Sequence, residues 1–511
     1  MQMARREFLK DFLIGGASFG ALGAFGGNRF VPGAAGCKPG GKPRLRFGVL
    51  SDTHILRVGE GEDIARSGNI LTLRRSFEWF RDQNVDAIVI AGDITDVGMV
   101  ENLMAVSNAW YSVFPDDRRP DGQRVEKIFV TGNHDWYDRT RTSLKMFPDE
   151  SERVKHVLKY DMAKWWEKAF NEPYAPIFSK SVKGYRFIGA HWDNGGWGAW
   201  AGKRAYAFGR IGDFLKENGR SMDPALPFFY VQHPHPKDTC YGPWAWGHDR
   251  GESTKALSAW QNAIAFSGHS HYSLTDARSI WQEAFTSVGT ASLKYMCRTT
   301  ESYGPTGYEN SGATGNDSWK IDAAKMMRGN DLGDNRQGML WSVYDDCIAI
   351  KRHEFLSGLD LGCDWVMPLP AAESRPFAFA EHAKKLLVPQ FPSGSKAAVR
   401  MIKAKNRGGG SQGQKIAAVE RDAFKISVPT PISDDRSLFC ELEFTAETAD
   451  GAKKSKTVLA EGFCYPPSHK KAKPEQCCIF AKDELGAGAV RFTVTPKNCF
   501  GVCGRPLVCA K

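Results

Sequence analysis

The chain has 511 residues, a length that exceeds one compact domain and predicts a core with an additional domain. Its 42% hydrophobic and 12% aromatic content excludes a wholly disordered protein. The formal net charge of +10 is spread along the chain, and basic runs such as KKAK at 470–473 lack the interleaved aromatic residues that would indicate a sequence-specific nucleic-acid partner.

The N-terminal segment predicts an export signal. The sequence ARREFLK at residues 4–10 precedes a mildly apolar run that is rich in glycine and alanine. This pattern resembles a bacterial twin-arginine signal, with Ala4 in the place of the usual serine or threonine. Because the run is too short and too rich in glycine to be a stable transmembrane span, we expect residues 1–40 to be an export signal and linker. The protein is then expected to be periplasmic or secreted.

The 12 cysteines fit an oxidising compartment. Several of them follow residue 439. They could form disulfides, whose pairing cannot be deduced from sequence, or stay buried thiols. A zinc site is the third alternative, although no paired C-x2-C spacing supports it.

From residue 44, strand-like runs alternate with helical patterns, which predicts an α/β sheet built through right-handed crossovers. The later runs at 280–293 and 338–355 have no helix between them, so they predict hairpins in a mixed sheet. The expected helices cover 70–83, 97–113 and 154–170, and the expected strands cover 44–52, 86–93, 126–133, 185–193, 227–236 and 263–271.

Two segments interrupt this alternation. Residues 195–209 and 303–317 are rich in glycine and aromatic residues and are too long for simple turns. Long loops within a compact domain often bind ligands, so both are candidate walls of a substrate pocket, although structural decoration is the alternative.

After about residue 375, short strand patterns follow one another at a spacing of roughly ten residues. This rhythm predicts a β-sandwich. It resembles an immunoglobulin or fibronectin-III-type module, and we expect it to form an accessory domain over residues 385–511.

Polar side chains stand at the ends of the predicted strands, where ligand groups gather in an α/β sheet. Each one taken alone is weak, because a single histidine near a strand end is most often structural. Together they form an ordered series of Asp52, His54, Asp93, Asp96, Asn133, His134, Asp135, His233, His269 and His271.

This series resembles the calcineurin-like metallophosphoesterase superfamily, whose pattern is D-x-H, G-D-x-x-D, G-N-H-D/E, H and G-H-x-H. The resemblance covers about residues 44–355. It implies a four-layer α/β/β/α sandwich, with a catalytic domain that we expect over residues 44–375.

Carboxylate, imidazole and amide ligands suit borderline divalent metals such as Mn, Fe or Zn. The resemblance implies two divalent ions that are bridged by Asp93, with a hydroxide between them as the nucleophile. By the same resemblance the other ligands are Asp52, His54 and His271 for the first ion and Asn133, His233 and His269 for the second.

The remaining polar residues have other expected roles. The resemblance assigns His134 to transition-state stabilisation or general acid catalysis, and Asp96 to orienting His134 and keeping it protonated. Asp135 is interpreted as structural support. His235 could replace His233 as a ligand, contact substrate or only cap a loop, and His191 is expected to support the site or the fold.

The function predicted from these patterns is an exported phosphoesterase with a dinuclear metal centre, acting on small or polymeric phosphate esters. Phosphodiesters are slightly favoured, and phosphomonoesters or nucleotide pyrophosphates are the close alternative. An alternative of another class is a surface binding protein with a relict metal centre, in which the C-terminal sandwich is the working part.

Overall fold

The computed structural model describes residues 41–56, 68–136, 147–193, 206–242, 247–294, 296, 335–386, 388–406, 419–432, 440–460, 473–486 and 488–510. The predicted export signal, most of the candidate loop 195–209 and all of the candidate loop 303–317 lie outside the described residues. Within these ranges, no helix has both the length and the apolar character needed to cross a membrane.

The first part of the chain alternates strands and helices. Its strands are β1 (Leu45–Leu50), β2 (Ala87–Ala91), β3 (Glu126–Val130), β4 (Ile177–Val182), β5 (Tyr185–Ala190), β6 (Phe228–Val231), β7 (Ala263–Ser267), β8 (Ile280–Gln282), β9 (Thr286–Gly289), β10 (Gln337–Val343), β11 (Cys347–Glu354), β12 (Leu359–Asp360) and β13 (Trp365–Pro368). Its α-helices are α1 (Gly68–Asp82), α2 (Val100–Val113), α3 (Glu150–His156), α4 (Met162–Phe170), α5 (Ile211–Asn218) and α6 (Glu252–Leu257).

The strands of this part form two mixed sheets in the described residues. One has the order β12-β11-β10-β1-β2-β3, with β13 also paired to β11, and the other has the order β4-β5-β6-β7-β9-β8. Parallel pairing within β1-β2-β3 and β5-β6-β7-β9 confirms the predicted crossovers. The antiparallel pairs β8-β9 and β10-β11 confirm the two predicted hairpins.

Buried side chains alternate between the two faces of these strands, because side chains in a strand point to opposite faces of the sheet. On β2, Val89 packs between the two sheets, in a cluster that also contains Phe47 and Phe229. The neighbouring Ile88 and Ile90 pack on the outer face, in the same cluster as the buried side chains of α1 and α2. The other sheet packs its outer face against α5 and α6. These layers confirm the four-layer α/β/β/α sandwich.

The helix predicted over residues 154–170 is wrong in one respect, because the structure divides it into α3 and α4. Val157 has extended backbone angles, which end α3. The side chain of Asp161 accepts a hydrogen bond from the backbone nitrogen of Lys164 and so caps the start of α4. A carboxylate at this capping position favours a new helix start, which periodicity of apolar residues does not reveal.

The C-terminal part contains helix α7 (Phe379–Lys385) followed by an all-β region. In its described residues, antiparallel strands form the sheets β14-β15-β18 and β17-β16-β19-β20, which share a buried cluster that includes Phe424, Leu442 and Phe492. Its similarity to immunoglobulin or fibronectin-III modules stays a prediction. The strands are β14 (Ala398–Asn406), β15 (Val419–Pro429), β16 (Glu441–Thr448), β17 (Lys453–Leu459), β18 (Glu475–Ala481), β19 (Ala489–Lys497) and β20 (Leu507–Ala510).

Helix α7 and the loop after β19 meet the α/β core. Cys499 belongs to the buried cluster between the two core sheets, and Phe500 packs against that cluster. The ring of His382 on α7 lies 5.4 Å from the ring of Phe377 and 5.5 Å from that of Phe500, measured between centroids. Neither ring nitrogen of His382 has a hydrogen-bond partner among the described residues.

Burial of His382 makes the fold sensitive to acid. Burial, together with the charges of Arg352 and Lys385, lowers the pKa of His382 from 6.5 to about 3. The unfolded chain therefore binds a proton at this residue between these pH values while the folded chain does not, so stability falls as the pH falls through this window. From pH 7 to pH 5 this loss is about 2 kcal/mol.

Replacing His382 with leucine is expected to remove this part of the acid sensitivity. The free energy of unfolding, measured by urea titration at pH 7 and at pH 5, should change less with pH in H382L than in the unmodified protein. The partly exposed His156 on α3 provides the control, because H156Q removes a histidine and leaves His382 in place, so it should keep the part of the acid sensitivity that His382 causes. An equal pH dependence in H382L and the unmodified protein would contradict this explanation.

Candidate metal centre

The predicted site residues meet where the parallel strands end. Asp52, Asp93 and Asn133 follow β1, β2 and β3 of one sheet, and His233 and His269 follow β6 and β7 of the other. Because the ends of parallel strands lie along one edge, the two sheets bring these side chains together from both sides.

Several of these residues have left-handed backbone angles. The φ angles are 51° at Asp52, 48° at Asp93, 71° at His269 and 57° at His271. Such angles cost about 1–3 kcal/mol each in a residue with a side chain, and they persist only where surrounding contacts enforce them. One such contact is the hydrogen bond from the backbone nitrogen of Asp52 to the carbonyl of Gly92, at 3.0 Å. Strained residues of this kind cluster at functional sites.

A first group of possible metal ligands consists of Asp52, His54, Asp93 and His271, with one ligand atom of each lying within 4.8 Å of the others. His271 Nε2 lies 3.0 Å from Asp52 Oδ1 and 3.3 Å from His54 Nε2. His54 Nε2 also lies 3.5 Å from Asp93 Oδ2.

A second group shares Asp93 with the first and adds His233 and His269. His233 Nε2 lies 3.1 Å from Asp93 Oδ2, and it also lies 3.1 Å from His269 Nδ1. Asp93 therefore stands between the two groups, with the same oxygen facing His54 and His233.

The amide of Asn133 tests whether these groups fit metal ions. Its Oδ1 is buried and has no hydrogen-bond partner among the described residues. A buried oxygen without a partner is costly in a folded protein, and a cation would satisfy it. Donor atoms bound to one ion at about 2.0–2.1 Å lie about 3.0–3.4 Å from each other, which matches the spacing of the histidine and aspartate atoms above. The residues present fit divalent ions.

Two glycines allow the loops to approach this closely. A Cβ atom on Gly132 would lie 2.2 Å from Asp93 Oδ1, and one on Gly268 would lie 2.3 Å from Asp52 Oδ2. Both distances are below any van der Waals contact, so a larger residue at either position would displace a carboxylate of the site.

The carboxylates of the site are held in their ionised form. Burial alone would raise the pKa of Asp52, but contacts with His271 and His54 lower it well below its usual range. The same opposition occurs at Asp93, where burial acts against the charges of His233 and His134, and the pKa of Asp93 is lowered. Carboxylates must be ionised to bind a divalent cation, so both groups are in the form that metal binding requires.

The pKa values of the histidines shift in different directions. Burial alone would lower the pKa of His54, but its contacts with Asp52 and Asp96 raise it to about 9. At His233 burial acts in the same direction, and Asp93 raises the pKa to about 9. Burial and the charge of His233 lower the pKa of His269 to about 3. Because imidazole must be neutral to bind a metal, ion binding at His54 and His233 would displace a proton from each.

His134 is oriented mainly by backbone. Its Nδ1 donates to the carbonyl oxygen of Asp96 at 2.7 Å, whereas the Asp96 carboxylate Oδ1 is 3.6 Å away. That carboxylate lies closer to His54, with Oδ1 3.0 Å from His54 Nδ1. Burial lowers the pKa of His134 although Asp93 opposes this shift. The hydrogen bond to Asp96 and the charge of Asp96 also oppose the shift, so the expectation that Asp96 orients His134 and keeps it protonated stays a prediction.

Asp135 connects two of the loops. Its carboxylate accepts hydrogen bonds from the backbone nitrogens of Gly132, Ile94 and Thr95, at 2.8, 3.2 and 2.7 Å, and from the Thr95 hydroxyl at 2.8 Å. It thereby joins the loop that carries Asp93 to the loop that carries Asn133, in agreement with its interpretation as structural support.

The two ambiguous histidines lie away from the ligand groups. Nδ1 of His191 accepts a hydrogen bond from the backbone nitrogen of Thr131 at 3.0 Å, and its ring is buried against Trp166 and Tyr174. The ring of His235 is also buried, between the hydroxyls of Ser267 and Ser270. Of His233 and His235, the structure brings His233 into a ligand group.

Sequence reasoning missed Lys294. Its Nζ donates to the carbonyl of His54 at 3.0 Å and lies 3.6 Å from the Asp96 carboxylate. This lysine follows β9, at the end of a strand-like run, and its position there is the one signal that could have indicated it.

Comparison with known proteins agrees with this geometry. A family model described as calcineurin-like phosphoesterase matches residues 45–273, which is less than half of the chain and contains every predicted ligand. No curated protein matches the chain.

Several solved structures are similar at low identity. A dimetal phosphatase from Danio rerio is 13% identical, with 64% of this chain and 99% of that chain covered and a TM-score of 0.36. The purple acid phosphatase PPD1 from yellow lupin (Lupinus luteus) seeds is 12% identical, with 63% and 53% covered and a TM-score of 0.36. GAP50, an anchor in the inner membrane complex of Plasmodium, is 12% identical, with 64% and 88% covered and a TM-score of 0.35.

The family match rests on the segment that builds the site. Residues 45–273 include β1 to β7 and the loops that carry the two ligand groups. This segment therefore matches the calcineurin-like phosphoesterase family.

Proposed function

We propose that the protein is an exported phosphoesterase that binds two divalent ions, Mn, Fe or Zn, and hydrolyses phosphate esters, with phosphodiesters slightly favoured. The observation that carries the proposal is the convergence of two ligand groups on one shared carboxylate, Asp93. A carboxylate between two sets of nitrogen and oxygen donors is what a pair of adjacent ions requires.

The proposed ligand roles follow from these contacts. Asp52, His54 and His271 belong with Asp93 to the first ion, because their ligand atoms cluster. His233 and His269 belong with Asp93 to the second, and the buried Asn133 Oδ1 supports its place as a further ligand. Two bound ions would activate the attacking water and stabilise charge on the phosphoryl oxygens.

His134 is proposed to act on the substrate. Its side chain is 20% exposed, compared with 4% for Asp96 and 12% for His271, so it is the most accessible group of the three. Because Nδ1 donates to the Asp96 carbonyl, the proposed contact with a phosphoryl oxygen or the leaving group falls to the other ring nitrogen, Nε2. Lys294 and Asp96 both contact His54, whose ring lies 4.6 Å from the ring of His134 between centroids, so they would help to hold His134 in place through His54.

Replacing His134 with alanine separates catalysis from metal binding. We expect H134A to lose about 10²–10⁴-fold in kcat, which is the usual contribution of a positioned acid or base, while it retains its bound metal. The measurement combines turnover of bis(p-nitrophenyl) phosphate in Mn²⁺ with elemental analysis of the purified variant. The partly exposed His156, which lies outside the ligand groups, gives the matched control, because H156A should keep both turnover and metal. Loss of metal in H134A would contradict the proposed role.

The ester class is tested with a substrate panel. Bis(p-nitrophenyl) phosphate, p-nitrophenyl phosphate and nucleotide pyrophosphates, assayed with added Mn²⁺, distinguish diesterase, monoesterase and pyrophosphatase activity. The highest kcat/KM is expected for the diester. Turnover of none of them by metal-loaded protein would favour the alternative of a binding protein with a relict centre.

Export is proposed from residues 1–40 alone. The double arginine and the short apolar run that follows it support a twin-arginine signal, and twin-arginine export carries proteins that are already folded. Metal could then be inserted before export. The C-terminal β region is proposed as an accessory unit of the exported protein.

A further inference from the structure

The ring of His235 lies between two serine hydroxyls. Its Nδ1 is 2.7 Å from Ser267 Oγ and its Nε2 is 2.7 Å from Ser270 Oγ, and the residue is 1% exposed. This burial excludes direct contact with substrate. His235 also belongs to none of the ligand groups found in the described residues.

Ser270 lies between two of the predicted ligands, His269 and His271. Both neighbours have left-handed φ angles, 71° and 57°, so the loop is strained on each side of the serine. Within the loop, the backbone nitrogen of Ser270 donates to the carbonyl of Gly268 at 2.8 Å. The Ser270 hydroxyl can therefore form a hydrogen bond that restrains the segment carrying both histidines.

His235 is anchored independently of that loop. Its backbone nitrogen donates to the carbonyl of Gly247 at 2.8 Å, and its carbonyl accepts from the backbone nitrogen of Asp249 at 2.7 Å. The ring also packs against Tyr241, with centroids 5.5 Å apart. Because both the backbone and the ring are held by residues outside 268–271, the imidazole can restrain Ser270 rather than move with it.

We propose that His235 is a positioning residue that holds His269 and His271 in ligand geometry through the hydrogen bond between its Nε2 and the Ser270 hydroxyl. This inference rests on the proposed metal function of the site. Residues that orient metal ligands by hydrogen bonds do not touch the ion, but their replacement typically lowers metal affinity by about 10–100-fold.

Two substitutions of His235 distinguish the two ring nitrogens. The amide nitrogen of glutamine reaches the position of Nε2, so H235Q can keep the bond to Ser270. The asparagine amide reaches only the position of Nδ1, so H235N keeps the contact with Ser267 and loses the one with Ser270. S270A and S267A form the matching pair from the serine side, since each removes one of the two hydroxyls.

Titration of metal-free protein with Mn²⁺ or Zn²⁺ gives the readout. We expect H235N and S270A to bind metal about 10–100-fold more weakly, and H235Q and S267A to stay within about threefold of the unmodified protein. The double variant H235N/S270A should be no weaker than either single variant, because both changes remove the same bond. Thermal melting of the metal-free variants, measured in parallel, reports on stability alone.

Several outcomes would overturn the proposal. These are an unchanged affinity in H235N and S270A, an equal weakening in H235N and H235Q, or lower melting temperatures with unchanged metal affinity. If H235N does not fold, the comparison of S270A with S267A decides the question. Failure of the unmodified protein to bind any metal would instead reject the proposed function itself.

Discussion

Replacing Asp93 with asparagine is expected to lower phosphoesterase activity by about a thousandfold or more and to remove at least one metal ion. Asp93 belongs to both ligand groups, and one of its oxygens lies 3.5 Å from His54 Nε2 and 3.1 Å from His233 Nε2. A bridging carboxylate contributes a negative charge that an amide cannot. Its loss is expected to remove several kcal/mol of transition-state stabilisation, which corresponds to a loss of rate of about a thousandfold.

Asparagine is the informative substitution at this position. Asp93 has a φ angle of 48°, and asparagine tolerates left-handed angles better than most residues that carry a side chain, so the backbone of the loop should be preserved. Turnover and elemental analysis are measured together. Asp82, at the exposed end of α1, provides the control, because D82N should keep full activity and metal. Retention of two ions and of at least a tenth of the rate in D93N would contradict the bridging role.

Replacing Asp135 with asparagine is expected to destabilise the fold by about 3 kcal/mol and to lower activity about a hundredfold. The carboxylate accepts four hydrogen bonds from Gly132, Ile94 and Thr95, and the amide would turn an NH₂ group toward some of these donors. Buried donors left without an acceptor cost about 1–3 kcal/mol each. A shift of about 1 Å in the loops that carry Asp93 and Asn133 is enough for a hundredfold loss of rate.

A graded control tests this explanation of Asp135. T95V removes only the hydroxyl donor and should cost about 1 kcal/mol, with a smaller effect on turnover. Urea unfolding gives the stability of both variants, and the assay with bis(p-nitrophenyl) phosphate gives their rates. Equal losses in D135N and T95V would show that the carboxylate does not connect the two loops.

Much of the fold could be predicted from sequence because its signals are local. The apolar runs that end at Leu50, Ala91 and Val130 are short and bounded by polar residues. The sequence could therefore predict where these strands end and that polar side chains follow each of them. The division between α3 and α4 could not be predicted in this way. It depends on the capping carboxylate of Asp161, which interrupts an otherwise continuous helical periodicity.

The sequence could predict which residues belong to the site better than it could predict their contacts. The resemblance pairs Asp96 with His134, but it does not indicate that the Asp96 carboxylate faces His54 while its carbonyl orients His134. Lys294 reaches the site through the return of the chain after β9, and its position after a strand-like run does not reveal that its side chain contacts His54. The roles of the individual ligands stay predictions.

Reconstitution of the metal-free protein tests the central proposal most directly. Chelator-treated protein is titrated with Mn²⁺ while hydrolysis of bis(p-nitrophenyl) phosphate is followed. The proposal predicts no turnover without metal and activity that saturates at two ions per chain, since both ligand groups must be filled. Full activity in the presence of chelator, or two bound ions without turnover of any phosphate ester, would contradict it.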